Sequence, residues 1–186
     1  EYLPPHFSAY AGVRGKGKGG KTKMAQGKTN AVRLLDKAGV PYELHEYQVD
    51  AAHAPRGELG LEVAHKVGIL PQMVFKTLVA RGERTGINVF VLPVAEELDL
   101  KKAASACGDK KLEMVHVKEI FGLTGYIRGG CSPVGMKKLF PTVFHETAEN
   151  LETMIVSAGK IGYQVELAPR DLAALVRAKF ADIIVE

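Results

Sequence analysis

Met73-Val74-Phe75-Lys76-Thr77-Leu78-Val79-Ala80 is the stretch on which the fold turns. Apolar, β-branched and aromatic residues crowd it, and its length suits a buried strand. One charged residue, Lys76, interrupts the run. Taking an ammonium out of water needs a counter-group, or the lysine gives up its proton. A lysine at a strand end can also snorkel, with its stem packed and its head in solvent. The functional alternative turns Lys76 into a pocket, where it binds an anion or a developing oxyanion. Side chains alternate along a strand, so Thr77 faces the opposite side, and its backbone matters to a site more than its hydroxyl.

Outward from this strand, residues 87–93 form a second apolar run. Gly82-Glu83-Arg84-Thr85-Gly86 joins the two as a hairpin. Thr29 and Asn30 cap a helix that runs to Ala38 and stops at Gly39. Pro41 opens a strand over residues 42–47, residues 50–60 are loop-like, and residues 61–67 read as a short helix. Asp99 caps a helix over residues 100–106, stopped by Gly108. Residues 112–115 read as a short strand and 117–121 as a short helix ended by Gly122. Residues 142–145, 153–157 and 162–167 read as strands. Pro169 opens a last helix to about Ala178, and residues 183–185 add a final strand. The mixture lacks regular alternation of strand and helix, which indicates an α+β fold with a mixed, curved sheet.

Gly125-Tyr126-Ile127-Arg128-Gly129-Gly130-Cys131-Ser132-Pro133-Val134-Gly135-Met136-Lys137-Lys138 is a glycine-rich loop closed by two lysines. Glycines let a backbone approach a ligand closely, and free N–H groups there form an anion nest. The Walker spacing is missing, and a plain wide loop is the alternative.

Five motifs in one order carry a resemblance: Phe75 to Leu78, Leu98 to Ala104, Gly125-Tyr126 with Gly129 to Gly135, Val156 to Lys160, and Leu167 to Leu172. From about Thr29 to the C-terminus the chain resembles the YbaK family of free-standing aminoacyl-tRNA deacylases, which edit Cys-tRNA(Pro). The resemblance implies a compact barrel-like sheet with helices outside and a pocket at its mouth. Lys76 matches the essential pocket lysine, which holds the terminal ribose-phosphate or polarises the ester. Gly129 and Gly130 would present N–H groups to the substrate carbonyl. Tyr47 matches a pocket tyrosine, and Ser157 would orient the amino acid or the ribose. Thr77, Ser132 and Gly159 join the substrate-binding set through their motifs, and Lys137 through its place beside the loop. Residues 50–60 depart from the family pattern, so no contact is assigned there, and His53 is read as a solvated loop residue.

No enzymatic nucleophile stands out. Cys131 sits beside the glycines but reads as a small packing residue. The resemblance implies that the substrate supplies the nucleophile: the thiol of the mischarged cysteine attacks its own ester carbonyl, and the protein only folds it into position. The alternatives are editing of another small amino acid, such as Ala-tRNA(Pro), with water as nucleophile, or a non-catalytic module for acceptor ends or nucleotides. No cofactor and no metal are expected. The expected partners are tRNA(Pro) charged with cysteine and a prolyl-tRNA synthetase. The paired lysines 101–102, 110–111 and 137–138 could grip acceptor-arm phosphates, although such pairs are commonly solvated surface.

The 186 residues and 46% hydrophobic content suit one soluble domain with a sizeable core. No apolar run reaches membrane length, and no signal-peptide pattern appears. Cys107 and Cys131 are the two cysteines, without C-x-x-C spacing, which argues against a disulfide framework and fits a reducing cytoplasm. The six histidines are scattered, none at metal spacing with a second ligand.

The net charge of +4 comes from the first 23 residues, where Arg14, Lys16, Lys18, Lys21 and Lys23 face only Glu1. The rest of the chain is balanced, so nucleic-acid contact must come from local patches. Residues 1–23, rich in Gly and Lys and without apolar period, read as a disordered tag or a basic arm, and residues 24–186 as one domain. Removing residues 1–23 is expected to leave the thermal midpoint and turnover nearly unchanged. A large loss of tRNA affinity, with a shallower salt dependence, would identify them as an RNA-binding arm instead.

Overall fold

The structure is a computed structural model, and it describes residues 27–47 and 69–186. Expectations for residues 1–23, for the loop at 50–60 and for the helix at 61–67 lie outside the described residues. The fold is α+β, as expected. Helix α1 (Asn30–Ala38) precedes strand β1 (Glu43–Glu46). Strands β2 (Phe75–Gly82) and β3 (Gly86–Pro93) form the expected hairpin, followed by α2 (Leu100–Cys107), β4 (Leu112–Met114) and α3 (Val117–Thr124). Then come β5 (Thr142–His145), β6 (Met154–Lys160), β7 (Tyr163–Leu167), α4 (Pro169–Val176) and β8 (Lys179–Ala181).

The strands build two sheets, ordered β1-β7-β6 and β4-β2-β3-β5-β8. The larger is mixed: β2 pairs antiparallel with β3 and β4, while β3–β5 and β5–β8 are parallel. A parallel bridge between Val74 and Ile155 joins the two sheets. The sheets do not close into the barrel that the resemblance implied: β2 pairs with β3 and β4, and the backbone pairing toward β6 is the isolated bridge at Val74, just before β2.

Alternation along the strands separates two cores. Phe75, Val89, Val91 and Phe144 face one side, with Val156 and Val165 of the smaller sheet, beneath α1 and α4. Ala80, Phe90, Leu92 and Val143 face the other, beneath Ala103 and Ala104 of α2. Strand β3 is therefore buried on both faces, and its apolar run reflects that. Each fully buried Phe or Leu contributes roughly 1.5–3 kcal/mol relative to exposure. A third, small cluster of Val74, Val94 and Ile155 sits at the seam.

Several boundaries differ from expectation, and β6 runs on to Lys160 instead of stopping at Ser157. Helix α3 runs through Gly122 and ends at Gly125, which takes the left-handed cap conformation (φ 81°). An interior glycine only weakens a helix, by about 1 kcal/mol, and the Thr124 hydroxyl bonds the Ile120 carbonyl in the last turn. Helix α4 stops at Val176, since Arg177 adopts φ 54°. The last strand is Lys179–Ala181, not residues 183–185, which are held by one bridge from Ile184 to Leu98 and by Val185 N–H to Glu97 O. The sequence reading missed two short 3-10 turns, Pro71–Met73 and Glu146–Asn150.

Asp109 ties the hairpin to the end of α2. Its Oδ2 accepts the N–H groups of Arg84 (2.9 Å) and Thr85 (2.8 Å) and the Thr85 hydroxyl (2.8 Å), while Oδ1 accepts from Lys110 N–H (2.7 Å). A side chain at Gly82 would collide with this carboxylate, since its Cβ would lie 2.2 Å from Oδ2. The hydrogen bonds from Thr85 lead the causes that hold the Asp109 carboxyl well below the usual carboxylate range. A depressed folded value means stability present above the unfolded value and lost as pH falls through the folded one. Asp109→Ala should lower the thermal midpoint by several degrees at pH 7. The gap between parent and variant should close as pH drops below about 4, the unfolded aspartate range. A midpoint unchanged at pH 7 would show that the loop holds without the carboxylate.

Candidate active site

The register of the smaller sheet sets the site. Gln164 of β7 lies opposite His45 of β1 and Ser157 of β6, and Glu166 lies opposite Glu43 and Ile155. Partners across a ladder share a face. The intervening residues, Leu44, Val165 and Val156, face the large core. The bridge from Ile155 to Val74 carries the outer face onto β2, where Val74, Lys76 and Leu78 follow by alternation. Lys76 and Ser157 thus stand on one face, each two residues beyond the seam, with Val74, Val94 and Ile155 as the apolar floor beside them.

Lys76 is half-buried and donates to the Val94 carbonyl (3.3 Å). Desolvation pulls its pKa below the ordinary lysine value, and the carboxylates of Glu97 and Glu96 oppose the shift. No ion pair to Lys76 forms among the described residues. It is a cation held out of bulk water with one neutral acceptor, which suits it to an anionic ligand. Thr77 faces the other side, opposite Val91 of the large core, as alternation required. Its hydroxyl is buried and has no hydrogen-bond partner among the described residues.

The glycine loop is a packing device around Tyr126, a residue to which the sequence reading gave no role. The buried phenol donates to Val134 O (2.8 Å) and accepts the Ala31 N–H, and burial holds its pKa well above the ordinary range. A Cβ on Gly135 would lie 2.5 Å from the phenol oxygen, and one on Gly159 would lie 2.7 Å from the ring. Both glycines have positive φ. Gly129 supplies positive φ in a turn closed by Gly130 N–H to Ile127 O (3.0 Å). The Gly130 N–H is therefore engaged within the loop and is not free for a substrate carbonyl. Gly130 lets the loop approach another backbone: its Cβ would lie 3.1 Å from Ile161 N.

The other expected site residues divide. The Ser157 hydroxyl accepts the Gly159 N–H (3.1 Å), which orients it and leaves its proton to donate. Tyr47 N–H donates to Gly162 O (2.9 Å), and burial raises the pKa of its phenol, against hydrogen bonds from the Gly162 backbone and the Gln164 side chain. Ser132, by contrast, is fully buried, and its hydroxyl accepts Val134 N–H (3.4 Å) inside the loop. Lys137 donates to Gly122 O (3.1 Å) and sits over the Phe121 ring, so it caps the end of α3. Lys102 pairs at the surface with Asp182 and Glu186, and Lys111 with Glu113.

Two further groups come together only through the fold. Gln164, almost wholly buried on the site face, carried no motif in the sequence. Glu43, His45 and Glu166 place potential ligand atoms within 4.8 Å of one another, a grouping that linear spacing cannot show. Both Glu166 oxygens are engaged, by His45 Nε2 (2.8 Å) and the Thr153 hydroxyl (2.6 Å).

Residues 58–175, more than half of the chain, match the family described as the aminoacyl-tRNA editing domain. A protein of Enterococcus faecalis assigned as a Cys-tRNA(Pro)/Cys-tRNA(Cys) deacylase, EbsC, is 48% identical over 161 residues, which span 87% of this chain and 96% of that protein. The crystal structure of a protein assigned as a trans-editing enzyme for prolyl tRNA synthetase is similar with a TM-score of 0.73 at 26% identity, covering 86% of this chain and 99% of that one. A hypothetical protein at 22% identity has the same fold, with a TM-score of 0.73 over 84% of this chain and all of its own.

Cys131 is packed against the large core, and burial pushes its thiol up to about 11. A thiol raised this far is protonated at neutral pH and a poor nucleophile. In a Cys107→Ser background, alkylation of Cys131 by iodoacetamide should be slow at pH 7.5 and accelerate only toward pH 11. Rapid labelling at pH 7.5 would show an activated thiolate.

Proposed function

The chain belongs to the aminoacyl-tRNA editing domain family, and from that premise we propose that it deacylates Cys-tRNA(Pro), and Cys-tRNA(Cys), as a free-standing enzyme. The observation that carries this reading is Lys76, a half-buried cation on a face lined by Ser157, Tyr47 and Gln164. Lys76 would hold the terminal ribose-phosphate or polarise the ester carbonyl. Ser157, oriented by Gly159 N–H, would donate to the ribose or to the ester. Gly129 and Gly130 would act by bringing the loop against the β6–β7 turn, which shapes the wall of the pocket.

The substrate supplies the nucleophile in this reading. Its thiolate attacks its own ester carbonyl carbon, so a C–S bond forms and the C–O bond to the ribose breaks. The ribose oxygen takes up a proton, and the cysteine leaves as a cyclic thiolactone. Intramolecular attack has a high effective molarity, so the protein has only to fold the substrate into the attack conformer. Cys131 packs against the large core rather than on the Lys76 face, and burial keeps its thiol protonated, which supports this division of labour. A charged tRNA puts the enzyme in the cytoplasm, with docking on prolyl-tRNA synthetase as the route to its substrate.

A panel of mischarged tRNAs tests the reading. Cys-tRNA(Pro) should be cleaved rapidly and Ser-tRNA barely, because fit alone separates near-isosteres by only about 1–3 kcal/mol whereas only the thiol ionises near pH 8.5. Equal cleavage of Ser- and Ala-tRNA would make water the nucleophile, and binding without cleavage would make the protein an acceptor-end module. Lys76→Ala should cut kcat/KM about 100-fold or more with the fold intact. In the parent, the rate should rise toward the thiol pKa, then fall as Lys76 deprotonates below the usual lysine range. A variant within a few-fold of the parent would remove Lys76 from the site.

A further inference from the structure

Gln164 stands in the middle strand of the smaller sheet, between His45 and Ser157 on the site face. It is only 7% exposed. A primary amide carries donors on nitrogen and an acceptor on oxygen. Its nitrogen donates to the Tyr47 phenol. Its Oε1 is buried and has no hydrogen-bond partner among the described residues. A dry acceptor beside a binding face is where a donor from a ligand is worth most, because the unfilled state is already penalised.

The charges on this face say which donor. Lys76 stands on the far side of β6 from Gln164, so the main chains that carry them are two strand spacings apart, on the order of 10 Å. Ser157 lies between them on the same face. Beyond Gln164 on the same face lies the Glu166 carboxylate. A ligand between them meets a cation at one end and acceptors at the other. A ribose hydroxyl both donates and accepts and is suited to Ser157, whose proton is free to donate. An α-amino group has only donors when protonated and is repelled by Lys76.

We propose that Gln164 Oε1 accepts a hydrogen bond from the α-amino group of the aminoacyl ester, so that Gln164 selects α-aminoacyl over plain acyl groups and sets which way the ester lies against Lys76. The assignment rests on the editing reading. Gln164 acts by positioning: it fixes the amino end, and the thiol and carbonyl then meet in one orientation.

Two esters of tRNA(Pro) test it, cysteinyl and 3-mercaptopropionyl, which share thiol and carbonyl but differ in the amine. The wild-type protein should cleave the cysteinyl ester with a kcat/KM about 10- to 100-fold higher, the range of a hydrogen bond to a charged group. Gln164→Met, of similar length, should lose about that factor on the cysteinyl ester and stay within about threefold on the other. Gln164→Glu keeps an acceptor oxygen and should keep the preference, which covers the case where Gln164→Met does not fold. Equal losses on both esters, no preference in the wild type, or a preference lost in Gln164→Glu would each overturn the assignment while leaving the deacylase reading intact. A wild-type protein inert on both esters would overturn that reading and this assignment together.

Discussion

The single bridge between Val74 and Ile155 is the constraint on which the site depends. Strand β2 pairs with β3 along one edge from Phe75 to Gly82, and β4 takes the far end of its other edge, which leaves the start of that edge to face β6. At that point alternation in one sheet is set against alternation in the other. The outcome is that Lys76 and Ser157 share a face while Phe75 and Val156 share the core. A slip of one residue would exchange the two sets, burying the lysine in the large core and exposing the phenylalanine. The apolar floor of Val74, Val94 and Ile155 makes that slip unfavourable.

Lys76 gains from this arrangement a particular electrostatic state. It is half-buried and not ion-paired among the described residues: it has one carbonyl at 3.3 Å and two carboxylates that act at a distance. A tight ion pair there would stabilise the charge but occupy it. The cation is instead desolvated enough that its pKa falls, which raises the gain from an incoming anion. Gln164 shows the same logic with an acceptor. In both cases a polar group is left short of partners inside a well-packed frame.

That frame is held by contacts that have nothing to do with substrate. Thr29 caps α1 through Val32 N–H and also donates to Ala158 O (2.5 Å), so the helix start is pinned to β6. Tyr126 bonds the loop carbonyl of Val134 and the first turn of α1. Gly135 and Gly159 are empty of side chain where the tyrosine needs the room. Gly135 of the loop and Gly159 of β6 therefore make room for the protein's own phenol.

The α+β class, the hairpin, the caps at Thr29 and Asp99 and the lysine inside an apolar strand were legible in the sequence, because each depends on neighbours a few residues away. So were the opposed faces of Lys76 and Thr77, which follow from the pleat alone. The end of α3 was misjudged at Gly122, since a glycine marks a helix end only when its φ turns positive, and that happened at Gly125. Ser132 and Lys137 flank the glycines, and it is the fold that buries the first and sets the second over the end of α3. Gln164, Tyr126 and the pairing of His45 with Glu166 were invisible, being defined by strand register across more than a hundred residues or by packing against a distant helix. Local propensity and alternation are properties of the chain as written. Which acceptor is left dry, and which cation is left unpaired, is decided only when distant strands meet and exclude water.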